Sequence, residues 1–148
     1  MNKKDSLNIG HDSIDQHHQE IFKLTNKLEE AIKKQDKAIL NDVICFLETH
    51  TLNHFKEEED LMKSHQFYDY EDHNKEHLIF IKKINHLREI FLSNCPLPLS
   101  IYYVRRFTDQ LIHHVITVDM KLKDISITSQ KTNQQNSKLN PIKQKSNE

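Results

Sequence analysis

This sequence predicts an all-α fold, an antiparallel up-down-up-down four-helix bundle. Four long amphipathic stretches follow one another along the chain, joined by segments of only a few residues. Long helices with short connections pack as antiparallel neighbours, which gives a bundle. The 148 residues include a single glycine, Gly10, and one glycine cannot supply the positive φ angles that the tight hairpins of a β-sandwich require.

The first three helices can be bounded from apolar periodicity and capping residues. Apolar side chains at steps of three and four predict the first helix over about 13–34. The second is expected over about 37–64, because Asp36 is a suitable N-cap immediately before the next apolar pattern. The third is expected over about 70–91, after a second N-cap residue, Asp69.

The fourth helix and a polar tail complete the chain. Pro96 and Pro98 each remove a backbone donor and end the preceding pattern, so the fourth helix is expected from near Pro98 to about Asp124. Residues 125–148 are dominated by Ser, Thr, Asn, Gln and Lys. Such a composition buries too little apolar surface to order itself, so a disordered tail is predicted. The chain therefore divides into a bundle domain, 1–124, and the tail.

Charge and hydropathy exclude several classes of function. The 21 Lys and Arg residues nearly balance the 22 Asp and Glu residues, giving a net charge of −1, and a DNA- or RNA-binding domain is expected to be strongly basic. No apolar run approaches the roughly 20 residues needed to cross a bilayer. Two cysteines, Cys45 and Cys95, are too few for a disulfide framework. We therefore expect a cytoplasmic protein that binds neither nucleic acid nor membranes.

Histidine is the unusual residue of this sequence, which contains eleven of them. On the second helix His54 precedes Glu58 by four residues, and on the third His73 precedes His77 by four. Side chains four residues apart lie on one face of a helix, so each pair can bind one ion. Glu58 falls on the apolar side of its helix near Leu61, where an unpaired carboxylate is costly. Imidazoles with a few carboxylates favour iron, zinc or copper over magnesium or calcium.

The first and fourth helices carry further candidate ligands. His17 and His18 precede the apolar run of the first helix. His113, His114 and Asp119 lie within an apolar stretch of the fourth helix. Residues five apart on a regular α-helix are separated by about 140°. His114 and Asp119 can therefore share a site only through a locally widened turn or a side chain that reaches sideways.

Four segments, 14–22, 54–62, 73–77 and 114–119, resemble the hemerythrins in their order and spacing. The resemblance extends over about 7–124. It implies a non-haem di-iron centre inside the bundle, with two iron ions bridged by an oxo or hydroxo group. It also implies that O2 binds reversibly at the one coordination position that the protein leaves open.

The resemblance further implies a role for each candidate side chain. The five-residue gap on the fourth helix belongs to the family pattern, so both of its residues are assigned to the centre. By matching of positions, His73, His77 and His114 bind one iron, His18 and His54 bind the other, and Glu58 and Asp119 bridge both. The open position lies on the iron held by His18 and His54. The implied lining of the O2 pocket is Leu111, Val115, Phe22 and Phe55.

The implied function is storage, transport or delivery of O2 by a protein that is not an enzyme. A monomer is expected, and the recipient of the oxygen is expected to be another protein that the sequence does not identify. A di-iron oxidase or peroxidase is an alternative, although the chain lacks the Glu-x-x-His motif that oxidative di-iron enzymes use. A sensor of O2, nitric oxide or redox state and an iron-handling protein are further alternatives. Zinc or manganese also remain open as occupants, because relative affinity follows the general order of divalent ions.

Overall fold

The computed structural model describes residues 7–125 and 134–135. Within them the chain forms α1 (Asp12–Lys34), α2 (Lys37–Ser64), α3 (Tyr70–Leu92) and α4 (Leu97–Thr117), followed by a short 3-10 helix (Asp119–Leu122). α1 packs against α2 and α4, and α3 packs against the same two helices. The predicted all-α four-helix bundle is therefore confirmed. The predicted disorder of the tail, and most of the tail itself, lie outside the described residues.

The predicted boundaries of α1, α2 and α3 agree with the structure to within one residue. Asp36 is the N-cap of α2, and its carboxylate accepts hydrogen bonds from the backbone N–H groups of Ala38 at 2.8 Å and Ile39 at 3.2 Å. Asp69 occupies the N-cap position of α3 but makes no side-chain cap bond. Its carboxylate instead accepts a hydrogen bond from Lys121 Nζ at 3.0 Å, which ties the start of α3 to the 3-10 helix.

Replacing Asp36 by alanine is expected to lower the free energy of unfolding by about 1 kcal/mol, because two backbone donors lose their partner. Urea denaturation followed by circular dichroism measures the change. Asp109→Ala is the control, since Asp109 is an exposed carboxylate in the middle of α4 and a surface change of this kind stays within about 0.5 kcal/mol. Equal losses in the two variants would contradict the capping role of Asp36.

The fourth helix ends earlier than the sequence predicts. It was expected to continue to about Asp124, but α4 ends at Thr117, and the N–H of Val118 makes the last contact of this turn, with the carbonyl of His114 at 2.8 Å. The chain then tightens into the 3-10 helix that begins at Asp119. Of the two expected alternatives, the widened turn is therefore wrong. Asp119 lies beyond the end of α4, so the angle of about 140° that a continuous α-helix would leave between His114 and Asp119 does not apply.

Two apolar clusters fill the bundle, and a polar layer lies between them. On α1, His18 lies between Ile14 of the smaller cluster and Ile21 of the larger one. On α2, Glu58 lies between Phe55 of the larger cluster and Met62 of the smaller. The polar side chains are thus sealed from solvent by apolar residues on both sides. No helix within the described residues is long and apolar enough to span a membrane.

Candidate metal centre

Seven side chains meet in the polar layer and form two groups that share two carboxylates. All seven are 2% exposed or less. Within each group the potential ligand atoms lie within 4.8 Å of one another. One group is Glu58, His73, His77, His114 and Asp119, and the other is His18, His54, Glu58 and Asp119. These are the seven residues that the resemblance singled out, and the structure brings every one of them together.

Glu58 reaches both groups with its two carboxylate oxygens. Its Oε1 lies 2.7 Å from Nε2 of His54 and 3.4 Å from Nε2 of His18. Its Oε2 lies 3.1 Å from Nε2 of His73 and 3.2 Å from Nε2 of His77. One oxygen therefore faces each group, which is the arrangement of a carboxylate that bridges two ions.

Asp119 divides its oxygens in the same way. Its Oδ2 lies 3.1 Å from Nε2 of His18 and 3.3 Å from Nε2 of His54. Its Oδ1 lies 3.0 Å from Nε2 of His73 and 2.9 Å from Nε2 of His114. Because Asp119 begins the 3-10 helix, the end of α4 and the tighter turn after it decide this position.

The donor set fits metal ions better than it fits hydrogen bonding alone. All five imidazoles direct Nε2 towards the two carboxylates. Nε2 of His77 and Nε2 of His114 lie 3.2 Å and 2.9 Å from carboxylate oxygens, but neither these buried nitrogens nor Oδ1 of Asp119 make an aligned hydrogen bond to any described residue. Buried polar atoms without partners are costly. Ligation of a cation satisfies such atoms, and imidazole with carboxylate is a ligand set for iron or zinc.

The charges of the cluster shift the pKa values of its members in opposite directions. Burial and the charge of Asp119 raise the pKa of Glu58, but the surrounding imidazoles outweigh both and hold it well below its ordinary value of 4.5. Burial lowers the pKa of His54, but Glu58 and Asp119 outweigh it and raise the value to about 10. Burial also lowers the pKa of His73, but Asp119 and Glu58 outweigh it and raise the value to about 9. Without a metal ion, imidazolium and carboxylate groups therefore neutralise one another.

After metal removal by a chelator, the free energy of unfolding is expected to be highest between about pH 5 and 6.5. The pKa values of His54 and His73 rise on folding from 6.5 to about 10 and about 9. Their stabilisation is therefore complete below pH 6.5 and is lost as the pH rises through 9 and 10. Because the pKa of Glu58 is lowered on folding, its carboxylate stabilises the folded chain above pH 4.5, and this contribution is lost as the pH falls below 4.5. Urea unfolding at a series of pH values measures this, and greater stability at about pH 9 than at about pH 6 would contradict it.

The sequence profile of the hemerythrin HHE cation binding domain matches residues 9–125 of the chain. This stretch contains all seven side chains of the buried cluster. The chain belongs to the hemerythrin family. The resemblance inferred from four short segments is thereby confirmed over almost the whole bundle.

Relatives within the hemerythrin family include animal and bacterial proteins. The myohemerythrin of Riftia pachyptila is 31% identical over 119 residues, which cover 80% of this chain and 88% of that protein. The bacteriohemerythrin of Stenotrophomonas maltophilia is 35% identical over 85 residues, or 57% of this chain and 56% of that protein. The bacteriohemerythrin of Clostridium acetobutylicum is 37% identical over 87 residues, 55% of this chain and 66% of its own. The match thus spans little more than half of the Stenotrophomonas protein. No solved structure matches the chain.

Two further carboxylates orient histidines of the cluster in this member of the hemerythrin family, and sequence reasoning missed both. Glu76 of α3 lies 2.7 Å from Nδ1 of His114 on α4. Glu59 of α2 lies 3.0 Å from Nδ1 of His77 on α3. A carboxylate on Nδ1 fixes the ring so that Nε2 faces inward and makes the imidazole a stronger ligand. Each contact joins two helices, so no spacing along one helix indicates it.

The residues expected to line an O2 pocket belong to the larger apolar cluster. Leu111 and Val115 are fully buried and Phe55 is 2% exposed, while Phe22 is half-buried and packs against the cluster. The ring of Phe55 stacks on the imidazole of His77, with centroids 3.8 Å apart and planes 9° apart. Apolar side chains therefore border the polar layer. Their role as the lining of a pocket stays a prediction.

The neighbouring histidines that a shift of one residue would select do not join the cluster. His113 is exposed. His17 is half-buried, and its ring centroid lies 5.5 Å from that of His54, on the outer side of α1 and α2. The choice of His18 and His114 over these neighbours thus agrees with their burial, since the two residues are only 1% and 2% exposed.

Proposed function

We propose that this chain binds O2 reversibly at a non-haem di-iron centre and serves in oxygen storage, transport or delivery rather than as an enzyme. The observation that carries the proposal is the pair of buried ligand groups that share Glu58 and Asp119. Two groups with two shared carboxylates favour two ions in one enclosed site. Membership of the hemerythrin family supports the same choice.

Each side chain of the cluster has a place in this proposal. His73, His77 and His114 would hold one iron, His18 and His54 would hold the other, and Glu58 and Asp119, which belong to both groups, would hold both ions. When bound as a ferrous pair, the irons supply the binding position and the electrons for reversible binding of O2. The histidines outnumber the carboxylates five to two, unlike the carboxylate-rich sites of oxidative di-iron enzymes.

The remaining task of the chain is to keep water and protons away from the site. Leu111, Val115 and Phe55 are buried against the polar layer, and Phe22 packs beside them. A dry, apolar wall keeps water and protons from the site and would so favour release of O2 over release of hydrogen peroxide. Glu59 and Glu76 keep two of the imidazoles in the ligating orientation.

A reversible O2 titration tests the proposal. The purified chain is assayed for iron, reduced without oxygen and followed by optical spectroscopy while O2 is added and then removed. We expect two irons per chain and an absorption band that appears and disappears with O2. Direct conversion to a stable diferric form, with peroxide released or consumed, would replace the carrier by a di-iron oxidase or a sensor.

A further inference from the structure

Thr51 carries a buried hydroxyl that takes no part in the two ligand groups. It lies on α2 and is fully buried. Its Oγ1 makes no hydrogen bond to any residue that the structure describes. A buried hydroxyl without a partner destabilises the folded chain. Such groups are few in native proteins, and each needs a physical explanation.

The other threonines of the four described helices satisfy their hydroxyls within their own helix. Thr25 and Thr49 donate to a backbone carbonyl three or four residues earlier, at 2.6 Å and 2.7 Å. Thr108 and Thr117 donate to the carbonyl four residues earlier, at 2.9 Å and 2.7 Å. This bond to the preceding turn is common for threonine inside a helix. Because Thr51 does not make it, its hydroxyl is free to donate to a group outside α2.

Helical spacing directs Thr51 across the bundle. His54 and Phe55 follow it by three and four residues, so Thr51 lies between the two rows that they mark on the surface of α2. His54 faces α1, where its ring centroid lies 4.8 Å from that of His18. Phe55 faces α3, where its ring stacks on His77. A buried side chain between these rows points away from both neighbouring helices and towards α4, which lies diagonally opposite.

Thr51 lies where the polar layer meets the larger apolar cluster. Leu47 precedes it by four residues and belongs to the larger cluster, and His54 follows it by three and belongs to the polar layer. On α4, Leu111 and Val115 are fully buried members of the same cluster. They are two of the side chains predicted to line the O2 pocket. Thr51 therefore adds one hydroxyl to the side of the centre where that pocket is predicted.

The surroundings of Thr51 suit a small ligand that accepts a hydrogen bond. The predicted pocket lining is apolar apart from this hydroxyl, and apolar surroundings strengthen a hydrogen bond that is made within them. A threonine hydroxyl donates one hydrogen bond and remains neutral. Such a donor stabilises negative charge on a bound molecule from a fixed position. It can therefore hold a ligand without delivering a proton to it, which agrees with the exclusion of protons proposed above.

We propose that the hydroxyl of Thr51 donates a hydrogen bond to the molecule bound at the open position of the buried centre, and that it selects O2 and small anions that accept such a bond. No covalent bond forms or breaks at Thr51, and its proton stays on Oγ1. The inference rests on the di-iron function proposed above, because the open position belongs to that centre.

Azide titration of the iron-loaded, oxidised chain tests this contact, since azide is a small anion that accepts hydrogen bonds. Thr51→Val keeps the shape of the side chain and removes the hydroxyl. It is expected to hold as much iron as the unchanged protein, to bind azide about tenfold more weakly and, when reduced, to release O2 about tenfold faster. Thr108→Val is the control, because Thr108 is equally buried but donates within its own helix. Equal azide affinity in the unchanged protein and Thr51→Val overturns the contact.

Thermal unfolding of the metal-free chain separates a ligand contact from a structural hydrogen bond. Because Oγ1 of Thr51 has no partner among the described residues, metal-free Thr51→Val is expected to have the same Tm as the unchanged protein or a higher one. A lower Tm, or loss of iron from this variant, would show a structural role and overturn the inference. An unchanged chain that holds no iron refutes the di-iron function and this inference with it. An unchanged chain that binds O2 reversibly, with equal azide affinity in Thr51→Val, refutes the inference alone.

Discussion

Glu58→Gln is expected to lose both iron ions and the absorption band that depends on O2. Glu58 is fully buried and faces both ligand groups, with Oε1 2.7 Å from His54 and Oε2 3.1 Å from His73. An amide has the size of a carboxylate but carries no negative charge, so it cannot bridge two cations. Iron analysis after gel filtration and optical spectra with and without O2 measure the loss.

Asp60→Asn is the matched control for this variant. Asp60 lies two residues further along α2 and is exposed to solvent. Its replacement by asparagine makes the same change from carboxylate to amide. It is expected to keep its iron and its spectrum. Circular dichroism establishes that both variants remain helical. Full iron content in a folded Glu58→Gln protein would contradict the bridging role.

Removal of iron is expected to lower the free energy of unfolding of the chain strongly. A ligand that binds only the folded state at about 1,000 times its Kd contributes about 4 kcal/mol. For a domain of this size that corresponds to a fall in Tm of about 15 °C. The physical reason lies in the seven buried side chains, whose polar atoms lose the cations that satisfy them.

Thermal unfolding with and without a chelator measures this effect. Glu58→Gln supplies an internal control, because a chain that holds no iron has none to lose and its Tm should not respond to the chelator. The iron-loaded unchanged protein should also show the weaker dependence on pH, since ligated imidazoles are neutral and do not titrate through about pH 9. Equal Tm values for the loaded and chelated unchanged protein would show that the metal contributes nothing to the fold.

Much of the fold and of the buried centre could be predicted because both depend on local spacing. Apolar residues at steps of three and four place α1, α2 and α3 to within one residue, and Asp36 caps α2 as expected. The same period of the α-helix puts His54 and Glu58 on one inward face. A ligand pair within one helix is therefore visible in the sequence before any packing is known.

Other parts of the centre could not be predicted because they depend on how helices pack. α4 ends at Thr117, and the 3-10 turn after it brings Asp119 to the cluster, whereas apolar periodicity alone favours a helix that continues. Glu59 and Glu76 each contact a histidine on another helix. Spacing along one element carries no information about such contacts.

By itself the sequence determined that this chain is a four-helix bundle and that His54 and Glu58, and likewise His73 and His77, share one helix face, while the full set of seven candidates came from the resemblance to the hemerythrins. The physical reason is that helix formation and the direction of each face follow from residues three and four apart. Only the tertiary structure decided the rest: the position of Asp119 beyond the end of α4, and the carboxylates that orient His77 and His114. These features require a rotation and an axial offset between helices, and packing of the whole core sets both.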